Sequence, residues 1–255
     1  MSTKRDTILF GRMGNKQQDL KHFQSYLPTE GIKYVVEPFG GTFAISRLFY
    51  KEDKYKKYVN DTDPVIYEIY KNPEKYNKLK MSLNDIAVKH LNSKGEVEFK
   101  PFMKEMEETI PASNMLEYWK REKICRGVMV KHVKNPDSSE QVSLMKKIKF
   151  SSDDYLKIIN KFSKKEDAFI FLDPPYLFSD NGLYKSQSGE DTDMSDMVIH
   201  ILNIMNDPKT KAKMMLIIND LKLIRMIYGD LVKGSYSKTY GFSSRKEQHL
   251  IIMNY

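Results

Sequence analysis

Ala168-Phe169-Ile170-Phe171-Leu172-Asp173-Pro174-Pro175-Tyr176 decides how this chain is read. Five apolar residues in succession are what a strand buried on both faces requires. Two prolines end it, because proline has no backbone N–H to donate and holds φ near −65°. They leave a stiff, extended turn whose first carbonyl is free to accept a hydrogen bond. The aspartate before them and the aromatic after them add a carboxylate acceptor and a stacking face. Such a site suits a flat ring with an exocyclic amino group, since two acceptors can take both amino hydrogens. The plainer alternative is a turn in which Asp173 caps and Tyr176 packs.

Upstream, Lys16 to Tyr26 reads as an amphipathic helix ending before Pro28. Tyr34-Val35-Val36 is a short strand, broken by Glu37-Pro38-Phe39-Gly40-Gly41. A helical pattern spans Thr42 to Tyr50, with Phe43, Ile45, Leu48 and Phe49 on one face. Lys57 to Asn60 is a second strand, closed by the acidic turn Asp61-Thr62-Asp63, and Pro64 suits the first position of a helix. Alternation of this kind predicts a parallel α/β sheet.

The pattern then changes. Asn72 to Gln141 is charge-rich and helical, with turn signals at Asn72-Pro73, Ser93-Lys94-Gly95, Ile110-Pro111 and Asn135-Pro136-Asp137. The α/β alternation returns with a strand at Lys147 to Phe150 and a helix from Asp154 to Phe162 behind the cap cluster Ser151-Ser152-Asp153. A polar loop, Ser179 to Asp191, follows the proline turn. Beyond it come a helix (Met194 to Met205), a strand (Met214 to Ile218), a helix (Leu221 to Tyr228) and a terminal strand pair around Gly234 to Ser244. The expected division is a catalytic part over residues 1–72 and 146–255, interrupted by an insertion over residues 73–145.

Composition excludes more than it identifies. The chain has 255 residues, 40% hydrophobic and 30% charged, enough apolar content for a core. The run Met214 to Ile218 is far shorter than the roughly 20 residues a bilayer span needs. No apolar stretch of signal-peptide length follows Met1, and Cys125 is the single cysteine, so an intracellular, reducing compartment is expected. Five scattered histidines and one cysteine carry no metal-ligand spacing, so no metal is expected. The 42 Lys and Arg exceed the 34 Asp and Glu, a net charge of +8 that favours a polyanionic partner such as nucleic acid. Oligomeric state is not legible.

Asp173-Pro174-Pro175-Tyr176 resembles the tetrapeptide of amino-group methyltransferases that use S-adenosylmethionine. The chain as a whole resembles the DNA adenine-N6 methyltransferases of the Dam type. Gly11-Arg12-Met13-Gly14-Asn15-Lys16 is similar to the Gly-Gly-Lys-like opening of that family, and Glu37-Pro38-Phe39-Gly40-Gly41 to its Glu-Pro-Phe-x-Gly segment. Asp61 matches the acid after the second strand. Arg245-Lys246-Glu247 leading into Leu250-Ile251-Ile252 is similar to its closing strand. The matches run in order from residue 10 to the C-terminus and leave the insertion unmatched. The resemblance implies a Rossmann-like class I methyltransferase sheet, mostly parallel with an antiparallel C-terminal hairpin, and a small helical insertion for target recognition.

It also implies roles. Asp173, Pro174, Pro175 and Tyr176 would carry catalysis: Asp173 and the Pro174 carbonyl accept the amino hydrogens, and Tyr176 stacks on the base. S-adenosylmethionine would be held by Arg12, Lys16, Glu37, Pro38, Phe39, Gly40, Gly41, Asp61 and Asp173. Asp61 is placed to accept the ribose hydroxyls, and Lys16 either holds its loop or contacts the cofactor. The spacing Gly11 to Lys16 is not that of a P-loop. DNA would be met by Arg121, Lys123, Arg126 and Lys131 in the insertion and by Lys238, Arg245 and Lys246 on the terminal hairpin. Two departures stand out. Phe43 replaces the small residue usual two positions after Gly41, with its ring either turned into the sheet or crowding the pocket. The Asn-Gly-x-x-Arg stretch of the family's recognition segment is absent, so no target sequence is implied. Alternatives are methylation of RNA adenine, of cytosine-N4 or of protein glutamine, or a silent relative that only binds nucleic acid.

Overall fold

The computed structural model describes residues 9–10, 16–123, 137–175, 194–239 and 246–255. Seven strands are formed among them: β1 (Tyr34–Glu37), β2 (Lys56–Asn60), β3 (Ile148–Ser151), β4 (Ala168–Leu172), β5 (Lys213–Asn219), β6 (Val232–Thr239) and β7 (Lys246–Met253). The α-helices are α1 (Leu20–Phe23), α2 (Pro64–Lys71), α3 (Pro73–Lys89), α4 (Phe99–Thr109), α5 (Asn114–Lys123), α6 (Ser139–Met145), α7 (Tyr155–Ser163), α8 (Met194–Asn206) and α9 (Lys222–Tyr228).

The strands make one sheet in the order β3-β2-β1-β4-β5-β7-β6. β1 runs parallel to β2 and to β4, and β4 parallel to β5. β7 returns antiparallel to β5, and β6 antiparallel to β7. This is the mostly parallel sheet with an antiparallel C-terminal hairpin that the sequence predicts. Chain order reverses between β1 and β4, and open α/β sheets bind ligands beyond the carboxyl ends of their strands at such a switch point.

β4 is buried along its whole length, as its five apolar residues require. Alternation sends its side chains to two cores. One face carries Val36, Ile170, Leu172, Met214, Leu216, Ile218 and Ile252, packed against Ile158, Ile159 and Phe162 of α7 and Met197, Val198 and Ile201 of α8. The other carries Val35, Phe169, Phe171, Met215, Ile217 and Ile251, packed against Phe23, Leu27, Ile45 and Tyr50. Gly234 lets Tyr26 lie close on that second face: a Cβ there would stand 2.9 Å from the Tyr26 hydroxyl.

Two expected helices are shorter and differently wound. Lys16 to Tyr26 forms a turn, the four-residue α1 and a 3₁₀ turn over Gln24–Tyr26. The segment after Gly41 winds as a π-helix over Ile45–Phe49. Its late start has a local cause: Gly41 and Phe43 both sit at positive φ, +49° and +42°, which no α-helix accommodates. For phenylalanine that conformation is strained, and such strain gathers at functional sites.

The chain clusters into two units, residues 1–14 with 64–150, and residues 15–63 with 151–255. In the first, Phe10 meets the rings of Tyr70, Tyr76 and Tyr118 at 6.1, 6.4 and 6.3 Å. The Leu9 N–H donates to Gln141 Oε1. Trp119 is buried and lies 6.2 Å from Phe102, so it packs its own unit.

Candidate active site

The second unit brings four of the expected segments to the carboxyl ends of its strands. Glu37 ends β1, Asp61 follows β2, Asp173 follows β4, and Lys16 precedes α1. By alternation Glu37, Asp173 and Asn219 fall on the face of Val35, Phe171 and Ile217. Polar side chains thus cross one face of the sheet where its apolar columns stop.

Asp173 is the centre of the site. Lys16 Nζ lies 2.6 Å from Asp173 Oδ1, with side-chain exposures of 4% and 20%. Burial pushes the Asp173 carboxyl up from the ordinary range, and the charge and hydrogen bond of Lys16 oppose that push. The ion pair holds one carboxylate oxygen and leaves Oδ2 for a further donor. Pro174 is buried and Pro175 half-buried, so the rigid turn is packed in place. Tyr176 and Arg12 lie outside the described residues, as does the loop Ser179 to Asp191.

The loop after β1 is built by hydrogen bonds from both sides. Gly40 N–H donates to Asn60 O at 2.6 Å, and Phe43 N–H to Gly40 O at 2.6 Å. Asp61 takes the Gly41 N–H on Oδ2 at 2.9 Å and the Asp63 N–H on Oδ1 at 3.0 Å. This acid therefore ties the glycine loop to the end of β2. Asn60 adds a second tie, donating to Pro38 O at 3.0 Å and to Asp153 O at 2.9 Å. Pro38 is buried and Phe39 half-buried, its ring 5.3 Å from Tyr155. Phe43 is fully buried, and its carbonyl accepts from Arg47 N–H at 3.0 Å.

Glu37 is buried, and its Oε1 accepts the Ser46 N–H at 2.8 Å, at the start of the π-helix. Desolvation raises its pKa to about 7, with the bonds from Ser46 and the Ile45 backbone and the charge of Arg47 pulling the other way. A cation placed beside it would favour the ionised form.

A second buried cluster adjoins Lys16. Lys238 Nζ lies 2.8 Å from Asp19 Oδ2, with exposures of 14% and 3%. The Tyr236 ring stacks between His22 and His249, at 5.1 and 5.2 Å. Sequence reasoning passed over Asp19, Asn219 and His249. Lys238 and Tyr236, which meet Asp19 and His249, are far from Asp19 in the chain, and no local pattern signals the contacts. Asn219 ends β5, and its carboxamide oxygen is buried without a donor among the described residues.

The donor set fits S-adenosylmethionine. Asp61 follows β2 with a carboxylate, the group that accepts ribose hydroxyls in such sheets. Glu37 and the open acceptor of Asn219 suit an ammonium group. Gly40 and Gly41 carry no side chain where a ligand would approach.

The expected DNA contacts are placed variously. Arg121 is exposed on α5, its guanidinium 5.2 Å from the Tyr118 ring centroid. Lys123 closes that helix, and Lys246 is exposed at the start of β7. Lys238 is turned inward onto Asp19. Arg126, Lys131 and Arg245 lie outside the described residues. Among the described residues no helix is long and apolar enough to cross a membrane.

A family model for the D12 class N6 adenine-specific DNA methyltransferases matches residues 13–244. No curated protein matches the sequence. Among solved structures, TrmN from Thermus thermophilus is similar with a TM-score of 0.40 and 11% identity over 92% of this chain. The chain spans 47% of that protein's length.

Proposed function

Since the chain belongs to the D12 class N6 adenine-specific DNA methyltransferase family, we propose that it moves the methyl group of S-adenosylmethionine to the N6 amino nitrogen of adenine in DNA. The observation that carries this reading is the buried Lys16–Asp173 pair at the switch point of the sheet. An anionic acceptor is held there, one oxygen fixed and one available, beside a carbonyl on a turn that cannot donate.

S-adenosylmethionine, when bound, supplies a methyl group on a sulfonium, open to direct attack by a nitrogen lone pair. Gly40, Gly41, Glu37 and Asp61 would hold it at the ends of β1 and β2. Asp173 Oδ2 and the Pro174 carbonyl accept the two amino hydrogens of the base. That draws the nitrogen lone pair out of conjugation and points it along one direction. With the methyl group transferred, the carboxylate or water would take the extra proton from the nitrogen. Lys16 favours the ionised form of that carboxylate, against the upward push of its burial. Positioning and fixed electrostatics supply most of the rate. A base inside a duplex cannot present its amino group to such a turn, so the adenine is flipped out or already unpaired. Tyr176 follows directly and supplies the stacking ring.

The test is incubation with methyl-labelled S-adenosylmethionine and, in parallel, DNA, RNA and protein, followed by digestion and identification of the labelled product. Label in N6-methyladenine from DNA is expected. Label confined to RNA, to cytosine or to glutamine would redirect the assignment.

A further inference from the structure

Asp19 and Lys238 form a second buried ion pair beside the catalytic carboxylate, and its partners are 219 residues apart in the chain. Asp19 belongs to the same turn as Lys16: its N–H donates to Lys16 O at 3.1 Å, and the Leu20 N–H to the same oxygen at 2.9 Å. Lys238 belongs to β6. The pair therefore pins the turn that carries Lys16 to the terminal hairpin. The Tyr236 hydroxyl reaches Asp19 at 3.5 Å, and its ring is clamped between His22 of α1 and His249 of β7, with interplanar angles of 7° and 17°.

Moving a charged pair out of water costs several kcal/mol per ion before attraction recovers it. A hydrophobic pair would hold a turn to a hairpin as well, so the charges themselves call for an explanation. We propose that Asp19 and Lys238 are positioning residues for methyl transfer: they fix Lys16 against Asp173 and balance the charge around it, touching neither base nor cofactor. This rests on the reading of Asp173 as the acceptor of the amino hydrogens.

Among the described residues, the titratable groups of this cluster and of the neighbouring strand ends are Lys16 and Asp19 on the turn before α1, His22 on α1, Glu37 on β1, Tyr236 and Lys238 on β6 and His249 on β7. His249 is held neutral, its pKa lowered to about 4 by burial and by the nearby lysines. Glu37 is occupied by Ser46. The charges that act on the Asp173 carboxylate are then Lys16 and Lys238, which favour its ionised form, and Asp19, which disfavours it.

Opposite substitutions should therefore have opposite effects. Lys238→Met leaves an uncompensated anion near Asp173 and moves the acid limb of the methyl-transfer pH profile to higher pH. Asp19→Asn removes an anion that disfavours the ionised Asp173 and moves the limb to lower pH. Each shift should be about half a unit, a roughly threefold change in ionised fraction at a given pH. The double variant Asp19→Asn with Lys238→Met and the conservative Lys238→Arg should both return to the wild-type limb, and they cover the case in which a single variant folds poorly.

The experiment is the pH dependence of label transfer to duplex DNA for wild type and the four variants, with folding checked by thermal unfolding. Opposed shifts cancelling in the double variant are expected. Shifts in one shared direction, or none, overturn the positioning role. So does a Lys238→Met variant with an unmoved acid limb and a salt dependence of DNA binding shallower by about one phosphate contact, which would make Lys238 a phosphate ligand. No label transfer by the wild type overturns the proposed function itself, and this role with it.

Discussion

On one face of the central sheet the apolar columns run out to the carboxyl rim, ending at Val36, Leu172 and Ile218 beneath α7 and α8. On the other, the columns of Val35, Phe171 and Ile217 give way at the same level to Glu37, Asp173 and Asn219. The strands are the same and the burial is similar, so the difference lies in side-chain chemistry alone. A buried charge is costly unless it is paired and hydrogen-bonded. At this end of the second face the cost is met in pairs, Lys16 with Asp173 and Lys238 with Asp19. Both faces carry an apolar core, and the proposed chemistry lies at the rim of the second.

Substitutions on each face can break or sharpen that contrast. The largest stability effect is expected on the apolar face. Phe162 is fully buried, 4.7 Å from Tyr58 and 5.9 Å from Tyr34. Phe162→Ala should cost about 3 to 5 kcal/mol in denaturant unfolding, with methyl transfer per folded molecule unchanged. Lost activity at full folding would deny the division.

On the polar face, Lys16→Met should cost about 2 to 3 kcal/mol, because Asp173 is left buried and unpaired. Adding Asp173→Asn to that variant should restore most of the stability and none of the activity. Additive losses in the double variant would mean that the two residues do not act as a pair.

A pH effect of on the order of 2 kcal/mol separates Glu37 from His249. The Glu37 pKa is raised to about 7 on folding. Its contribution is therefore full below pH 4.5 and is lost as pH rises to 7. The His249 pKa is lowered to about 4, so its contribution is present above pH 6.5 and is lost as pH falls to 4. Between pH 4.5 and 6.5 the two oppose one another. Relative to wild type, Glu37→Gln should gain stability as pH rises, and His249→Gln should gain it as pH falls. Unfolding at pH 4.5, 6 and 8 checks both signs.

The smallest effect belongs to the opposite edge of the sheet. There Lys165 Nζ lies 5.4 Å from the Tyr34 ring centroid, exposed to solvent. Lys165→Gln should cost no more than about 0.5 kcal/mol and leave methyl transfer as it was.

The same contrast explains what could be read in the sequence. Runs such as Ala168 to Leu172 and Met214 to Ile218 announce buried strands without reference to anything distant, and the proline turn ends one of them unmistakably. The sheet was legible for that reason. The segment after Gly41 was less so, since the positive φ of Phe43 delays the helix and nothing in its side chain signals it. Lys238 illustrates the harder case. It stands among the basic residues expected to meet DNA, and its partner Asp19 stands at the other end of the chain. His249 looked like one scattered histidine among five, and only the pairing of β6 with β7 places it against Tyr236. Asp61 was expected as a ligand acceptor, and its bonds to Gly41 and Asp63 also make it a part of the loop it serves. Local pattern reports apolar burial well. Charge pairing across the fold leaves no local pattern to report.

In the proposed reaction the Asp173 carboxylate, held by Lys16 at the polar rim, orients the amino group for transfer. The most direct measurement of this role is Asp173→Asn in one preparation, with S-adenosylmethionine binding followed by calorimetry and label transfer to DNA followed by counting. Cofactor affinity within about threefold of wild type, with transfer reduced by about a thousandfold or more, is predicted. Transfer at the wild-type rate with binding intact would contradict the account.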